Sequence, residues 1–137
     1  MCLSAVTTAP SGTPPEHGYK VFRQIDFDRE IRPLWQGDGR SLPTDQWLNE
    51  KDYAEIPIER RDYIQANDGT LYPRGWHVFL KKIDAIEFAE QLAPRKIVRK
   101  VQMKDICAFG YEYENDPSAA PAIKRPVAVC LQIYIER

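Results

Sequence analysis

The chain has 137 residues, 43% of them hydrophobic and 28% charged, a composition that excludes a disordered chain and suits one domain with one sizeable core. Nineteen Lys and Arg against twenty Asp and Glu leave a formal net charge of −1, which argues against a protein that coats nucleic acid. Three cysteines, Cys2, Cys107 and Cys130, with no Cys-x-x-Cys pattern, exclude a secreted disulfide scaffold, and no apolar run is long enough to span a bilayer. The first eighteen residues lack a basic segment followed by a long apolar one, so the expected setting is a reducing cytoplasm without a membrane partner.

Residues 1–18, rich in Pro, Ser, Thr and Gly, read as an extended lead-in to a single domain over 19–137. Tyr19, Val21 and Ile25 alternate with Lys20, Phe22 and Gln24 as the two faces of a strand. Asp26–Asp28 supplies turn chemistry, and Glu30–Trp35 returns as a second strand that Pro33 confines to an edge. A loop-rich insert over about 36–74 follows. Within it Thr44–Asp45 is placed to cap a helical turn through Gln46–Lys51, and Asn67-Asp68-Gly69 marks a turn between Tyr63-Ile64 and Leu71-Tyr72.

Trp76–Leu80 is a compact strand, with Gly75 expected to let the incoming backbone bend. The period then changes. Ile83, Ile86, Phe88, Ala89 and Leu92 recur at helical spacing, so a helix is predicted over about 83–92, ended by Pro94. Asp84 and Glu87 lie in its first turns, where they complement the macrodipole. Two strands are expected at Lys96–Met103 and Ile106–Tyr113, separated by a turn or bulge at Lys104-Asp105. The chain then closes on Val127, Val129, Leu131, Ile133 and Ile135, expected on one face of a long strand, with Ala128, Cys130, Gln132 and Tyr134 on the other. Strands with a segregated helix give an α+β class: mostly antiparallel sheet, with one main helix on one face.

His77 shares its strand face with Phe79 and is suited to general-base or ligand-orienting chemistry, or to a packed sheet histidine. Two histidines and three scattered cysteines supply no recognisable zinc spacing, so no metal is expected. Removal of Met1 would leave Cys2 with its own α-amino group as a base; the alternative is an apolar terminus packed on the sheet. Aromatic residues with interleaved arginine around the insert have the composition of a binding surface, or of a minor core under a long loop. The expected contact residues are Tyr19, Trp35, Trp47, Tyr72, Arg74, Trp76 and His77.

Met1-Cys2-Leu3, Gly18-Tyr19-Lys20-Val21-Phe22, and Gly75-Trp76-His77-Val78-Phe79 with Asp84-Ala85 together resemble a family of small uncharacterised phage and prophage proteins. Phe79–Ala89 followed by Ile97–Met103 is similar to part of the ADP-ribosyltransferase fold. That second resemblance implies an enzyme using NAD, with Arg23 as the leading basic residue, His77, and Glu112 or Glu114 from Glu112-Tyr113-Glu114. The full triad pattern of that fold is not matched. The resulting expectation is a small binding protein, of mobile-element origin, for a host protein or a nucleotide-like ligand, with no cofactor. The alternatives are an active or degenerate transferase and a self-associating protein joined through the Val127–Ile135 strand.

Overall fold

A computed structural model describes residues 3–8, 12–24, 30–34, 41–53, 62–92, 96–113 and 124–136, with the side chain of Tyr113 excepted. Its strands are β1 (Ala5–Thr7), β2 (His17–Gln24), β3 (Ile31–Arg32), β4 (Trp47–Asn49), β5 (Tyr63–Gln65), β6 (Leu71–Pro73), β7 (Trp76–Phe79), β8 (Lys96–Tyr113) and β9 (Lys124–Ile135). Two helices, α1 (Glu50–Tyr53) and α2 (Lys82–Gln91), complete the described elements. Over the described residues the molecule is mostly antiparallel sheet with little helix, which is compatible with an α+β class.

The pairings close on themselves. β2 pairs with β8, β8 with β9, β9 with β7, and β7 returns to β2 through Tyr19 and Phe79. A sheet closed in this way is a small barrel, which removes most of its exposed strand edges. β1 and β4 flank the ring on β8 and β9, and β3 pairs with β2 as the expected hairpin return. β5 and β6 form a separate hairpin around the predicted Asn67-Asp68-Gly69 turn. There Gly69 has φ 91° and Asp68 Oδ1 accepts the Thr70 N–H at 2.9 Å.

Strand alternation sorts the apolar side chains into two clusters. Inside the ring lie Phe22, Leu48, Trp76, Val78, Val101, Met103, Ala128, Cys130, Ile133 and Ile135. Outside it Leu3, Val21, Phe79, Val127 and Val129 are covered by Ala85 and Phe88 of α2 and by Ile64 and Tyr72 of the β5–β6 hairpin. The interior is therefore divided into a barrel core and an outer layer.

Five expectations change. The C-terminal aliphatics do not share one face: Val127 and Val129 belong to the outer layer, whereas Ile133 and Ile135 join Ala128 and Cys130 inside. The cause lies in the facing strand, where Asp105 is left-handed at φ 58° and the register skips between Ile106 and Ala108. A bulge of this kind bends the strand that carries it and increases the local twist, and the switch of sides on β9 falls opposite it. β8 is accordingly one strand rather than the two expected, and of the turn or bulge expected at Lys104-Asp105 it carries a bulge beside that point.

On α2, Asp84 is buried and Ile83 is 56% exposed, so the buried stripe is Asp84, Ala85 and Phe88. Residues 47–49 are strand rather than helix, because Leu48 is drawn into the barrel opposite Ile133. Finally, Gly75 serves close approach rather than a bend. A Cβ there would stand 2.6 Å from the Cys130 carbonyl oxygen. The expectations at Asp26–Asp28, Trp35 and Pro94 fall outside the described residues.

Candidate functional site

Three groups of side chains combine unusual chemistry with definite geometry. The first lies in the outer layer. His77 points away from the barrel because its neighbours Trp76 and Val78 point in. Its Nε2 is 3.0 Å from the Tyr72 hydroxyl, with the two rings edge to face at 5.7 Å. The same hydroxyl accepts the Leu3 N–H at 3.0 Å. Burial depresses the His77 pKa well below its usual value; the nearby Lys20 charge adds to this, and a hydrogen bond with the Gly75 backbone opposes it. The imidazole is thus neutral, and the single Tyr72 proton goes to Nε2 as acceptor. The outcome is a buried tether from β7 through β6 to Leu3, itself fully buried.

The second group sits where α2 meets the β8–β9 hairpin. Glu112 and Arg125 are cross-strand partners, and Arg125 reaches Glu87 of α2 at 3.5 Å. Asp84 lies three residues before Glu87, on the same side of the helix. Arg125 is 1% exposed, Asp84 7% and Glu112 8%. Among the described residues, Arg125 Nε, Asp84 Oδ2 and Glu112 Oε2 are buried without a hydrogen-bond partner. Burial pushes Glu112 up to about 7, against the favourable charges of the amino terminus and Arg125. It also raises Asp84, against Lys81 and Arg125. Perturbed carboxylates at neutral pH are a mark of functional sites.

The third group is on the solvent side of the barrel wall. Register aligns His17, Gln102, Tyr134 and Trp47 in one row across β2, β8, β9 and β4. The next row carries Lys104, Gln132 and Asn49. These side chains alternate with the inward Val101, Met103, Ile133 and Leu48. Trp47 is 39% exposed; it meets Tyr134 edge to face at 5.6 Å, and Lys104 Nζ lies 5.5 Å from its ring. Gln132 donates to Asp105 and Gln102 to Glu136, so two carboxylates border the face.

The expected contact residues divide accordingly. Trp47 is on the open face, Tyr19 is half-buried at the outer layer, and Trp35 lies outside the described residues. Tyr72, Arg74, Trp76 and His77 are buried and hold the fold. Arg74 grips Glu50 through two hydrogen bonds of 2.9 Å, and the Trp76 indole donates to the Leu48 carbonyl. These four cannot meet a partner in this conformation. Of the residues implied by the transferase resemblance, Arg23 pairs with Lys96 at one end of β8 and donates to the Pro33 carbonyl. Glu112 stands at the other end of that strand, about 50 Å of contour away at some 3.3 Å per residue. Glu114 and Cys2 lie outside the described residues.

Sequence reasoning passed over Asp84 and Arg125 as partners, and over Lys104 and Gln102. The last two carried a signal in the even-numbered polar positions opposite Val101 and Met103. A cavity of about 360 Å³ beside Ile31 and Leu42 involves none of these groups. Among the described residues no cluster of three His, Cys, Asp or Glu could hold a metal ion, and no helix is long and apolar enough to cross a membrane. Comparison with protein-family models, with curated proteins and with solved structures finds no match to the chain.

Proposed function

We propose that the protein is a binding protein for a nucleotide-like ligand, taken up on the open barrel face around Trp47 rather than in a cleft. The observation that carries this is the exposed Trp47 ring, braced by Tyr134 and already accompanied by the Lys104 cation. A base has a π-face that stacks on such rings, and a phosphate pairs with the lysine beside them. The row continues through Gln102 to His17, which offers hydrogen-bonding groups beyond the aromatic pair. In this reading α2 is the main helix and serves the outer layer. The setting is a reducing cytoplasm, supported by the free thiols Cys107 and Cys130.

The NAD-transferase alternative is less well supported, because Arg23 and Glu112 mark opposite ends of β8. The test is a titration of tryptophan fluorescence with NAD, with ATP and with a short oligothymidylate. Trp76 is fully buried, which leaves Trp47 as the exposed reporter among the described tryptophans. Saturable quenching that disappears in Trp47→Ala is the expected result. No response to any of the three at millimolar concentration overturns the reading and turns attention to a protein partner.

A further inference from the structure

On the open face, the rung next to the Trp47–Tyr134 pair is built of amides. Asn49 of β4 and Gln132 of β9 are register partners, each two residues from its aromatic neighbour and therefore on the same side of the sheet. Lys104 of β8 flanks Gln132 from the other strand. The aromatic and amide rungs lie about 7 Å apart along the strands, close enough for a base stacked on Trp47 to bring its edge to the amides.

A side-chain amide has a donor end and an acceptor end, and its fixed partner decides which end is turned outward. Gln132 Nε2 donates to Asp105 Oδ2 at 2.9 Å. An ionised carboxylate only accepts, so the amide nitrogen must face Asp105 and the carbonyl oxygen is turned away from it. Asn49 is held the opposite way. Its Oδ1 accepts the Lys51 N–H at 3.0 Å, a donor that only the oxygen can meet, so its NH2 group is turned away. These two neighbours have the chemistry to satisfy each other, yet among the described residues no hydrogen bond joins them. The rung thus offers an acceptor, Gln132 Oε1, beside a donor, Asn49 Nδ2. Gln102 is fixed as Gln132 is, with its Nε2 donating to Glu136 Oε1 at 3.0 Å, so the device recurs on the far side of Tyr134.

We infer, building on the nucleotide reading of this face, that Asn49 and Gln132 select a base whose edge carries an amino group beside a ring-nitrogen acceptor, as adenine and cytosine do. The amino group donates to Gln132 Oε1, and the ring nitrogen accepts from Asn49 Nδ2. Hypoxanthine and uracil carry the reverse pattern, a carbonyl oxygen beside a ring N–H. They set acceptor against acceptor and donor against donor, and a site built to hydrogen-bond one pattern rejects the other. Asp105 is a positioning residue, which acts by fixing the direction of Gln132.

The test is a titration of Trp47 fluorescence in the full chain with ATP, inosine triphosphate, CTP and UTP, which share the ribose and the triphosphate. ATP should bind at least about fivefold more tightly than inosine triphosphate, and CTP than UTP. Asp105→Asn places a residue tolerant of the left-handed backbone at this position, where φ is 58°. Its amide meets either end of Gln132, so the preference for ATP over inosine triphosphate should fall toward one while ATP still quenches. Gln132→Met keeps the length, removes the amide and should lower the preference as well. Equal affinities for ATP and inosine triphosphate in the wild type overturn the selection and leave the nucleotide reading standing. An unchanged preference in either variant also overturns it, because the discrimination then arises elsewhere. Quenching by none of the four overturns the reading of the face and the selection together.

Discussion

Buried charge is handled in opposite ways by the barrel core and the outer layer. In the core, Lys20 is 3% exposed, yet its Nζ donates to the His77 carbonyl at 2.9 Å and lies 5.5 Å from the Trp76 ring. Glu50, 1% exposed, meets both Arg74 nitrogens at 2.9 Å in a bidentate pair. Such geometry is what a desolvated ion pair needs to offset its burial. In the outer layer, Asp84, Glu112 and Arg125 are comparably buried and each keeps an unpartnered atom. The first arrangement fixes one structure. The second leaves free energy that a proton can redirect.

Breaking the core pair should have the largest effect. Arg74→Ala removes the bidentate partner of the buried Glu50 carboxylate and should cost about 3–5 kcal/mol in denaturant unfolding. The double variant Glu50→Leu/Arg74→Met should recover most of that loss, since it removes both desolvated charges. If the single and double variants unfold alike, the pair is not the organising contact of the insert.

Ionisation of Glu112 comes next. Moving its pKa from 4.5 to about 7 amounts to about 3 kcal/mol between the two protonation states. Glu112→Gln should therefore gain stability relative to wild type as pH rises from about 4.5 to 7, then hold that gain on the alkaline side. His77→Phe should show the reverse: it removes the acid-side loss below about pH 6.5. It also strips Tyr72 of its acceptor, so only the pH slope, and not the absolute stability, tests the assignment. Parallel slopes in wild type and Glu112→Gln would erase the contrast between the two regions.

The local grammar of the chain was legible. The β2 alternation, the Asn67–Gly69 turn, the short strand before α2 and the helix itself follow from periodicity and turn chemistry within a few residues. What sequence could not supply was long-range compensation. Asp84 is on the buried side of α2, within reach of the charge of Arg125 forty-one positions later; from α2 alone it reads as a helix-end charge. Likewise, Val127 to Ile135 alternate without a break in sequence. Their division between core and outer layer is imposed by Asp105 and the skip after Ile106 on the neighbouring strand. For the candidate sites, His77, Glu112 and Trp47 were visible as residue types. Whether each faced a partner, a carboxylate or solvent depended on register with strands distant in sequence.

The tether between the regions should give a smaller effect. Tyr72→Phe keeps the ring in the outer layer but removes the hydroxyl that accepts from Leu3 and donates to His77. One buried N–H and one imidazole nitrogen lose their partner, at about 1–3 kcal/mol. Exchange of the amides in residues 3–7 should accelerate more than that of β9. Uniform acceleration would show that the hydroxyl supports the fold generally rather than holding the first strand.

The smallest expected change in stability lies outside both regions, on the open face. Lys104 contributes a cation at 5.5 Å from the Trp47 ring, worth about 0.5–1 kcal/mol at an exposed site. Lys104→Ala should thus leave unfolding nearly unaltered while weakening the fluorescence response to ATP, since the phosphate loses its partner. Lys104→Arg keeps both the charge and the ring contact and should restore binding. If Lys104→Ala binds ATP as wild type does, the lysine merely covers the indole, and the face is an aromatic surface without a phosphate subsite. If it destabilises by several kcal/mol instead, Trp47 and Lys104 belong with the buried pairs as part of the fold, and the open face is not a third, independent region.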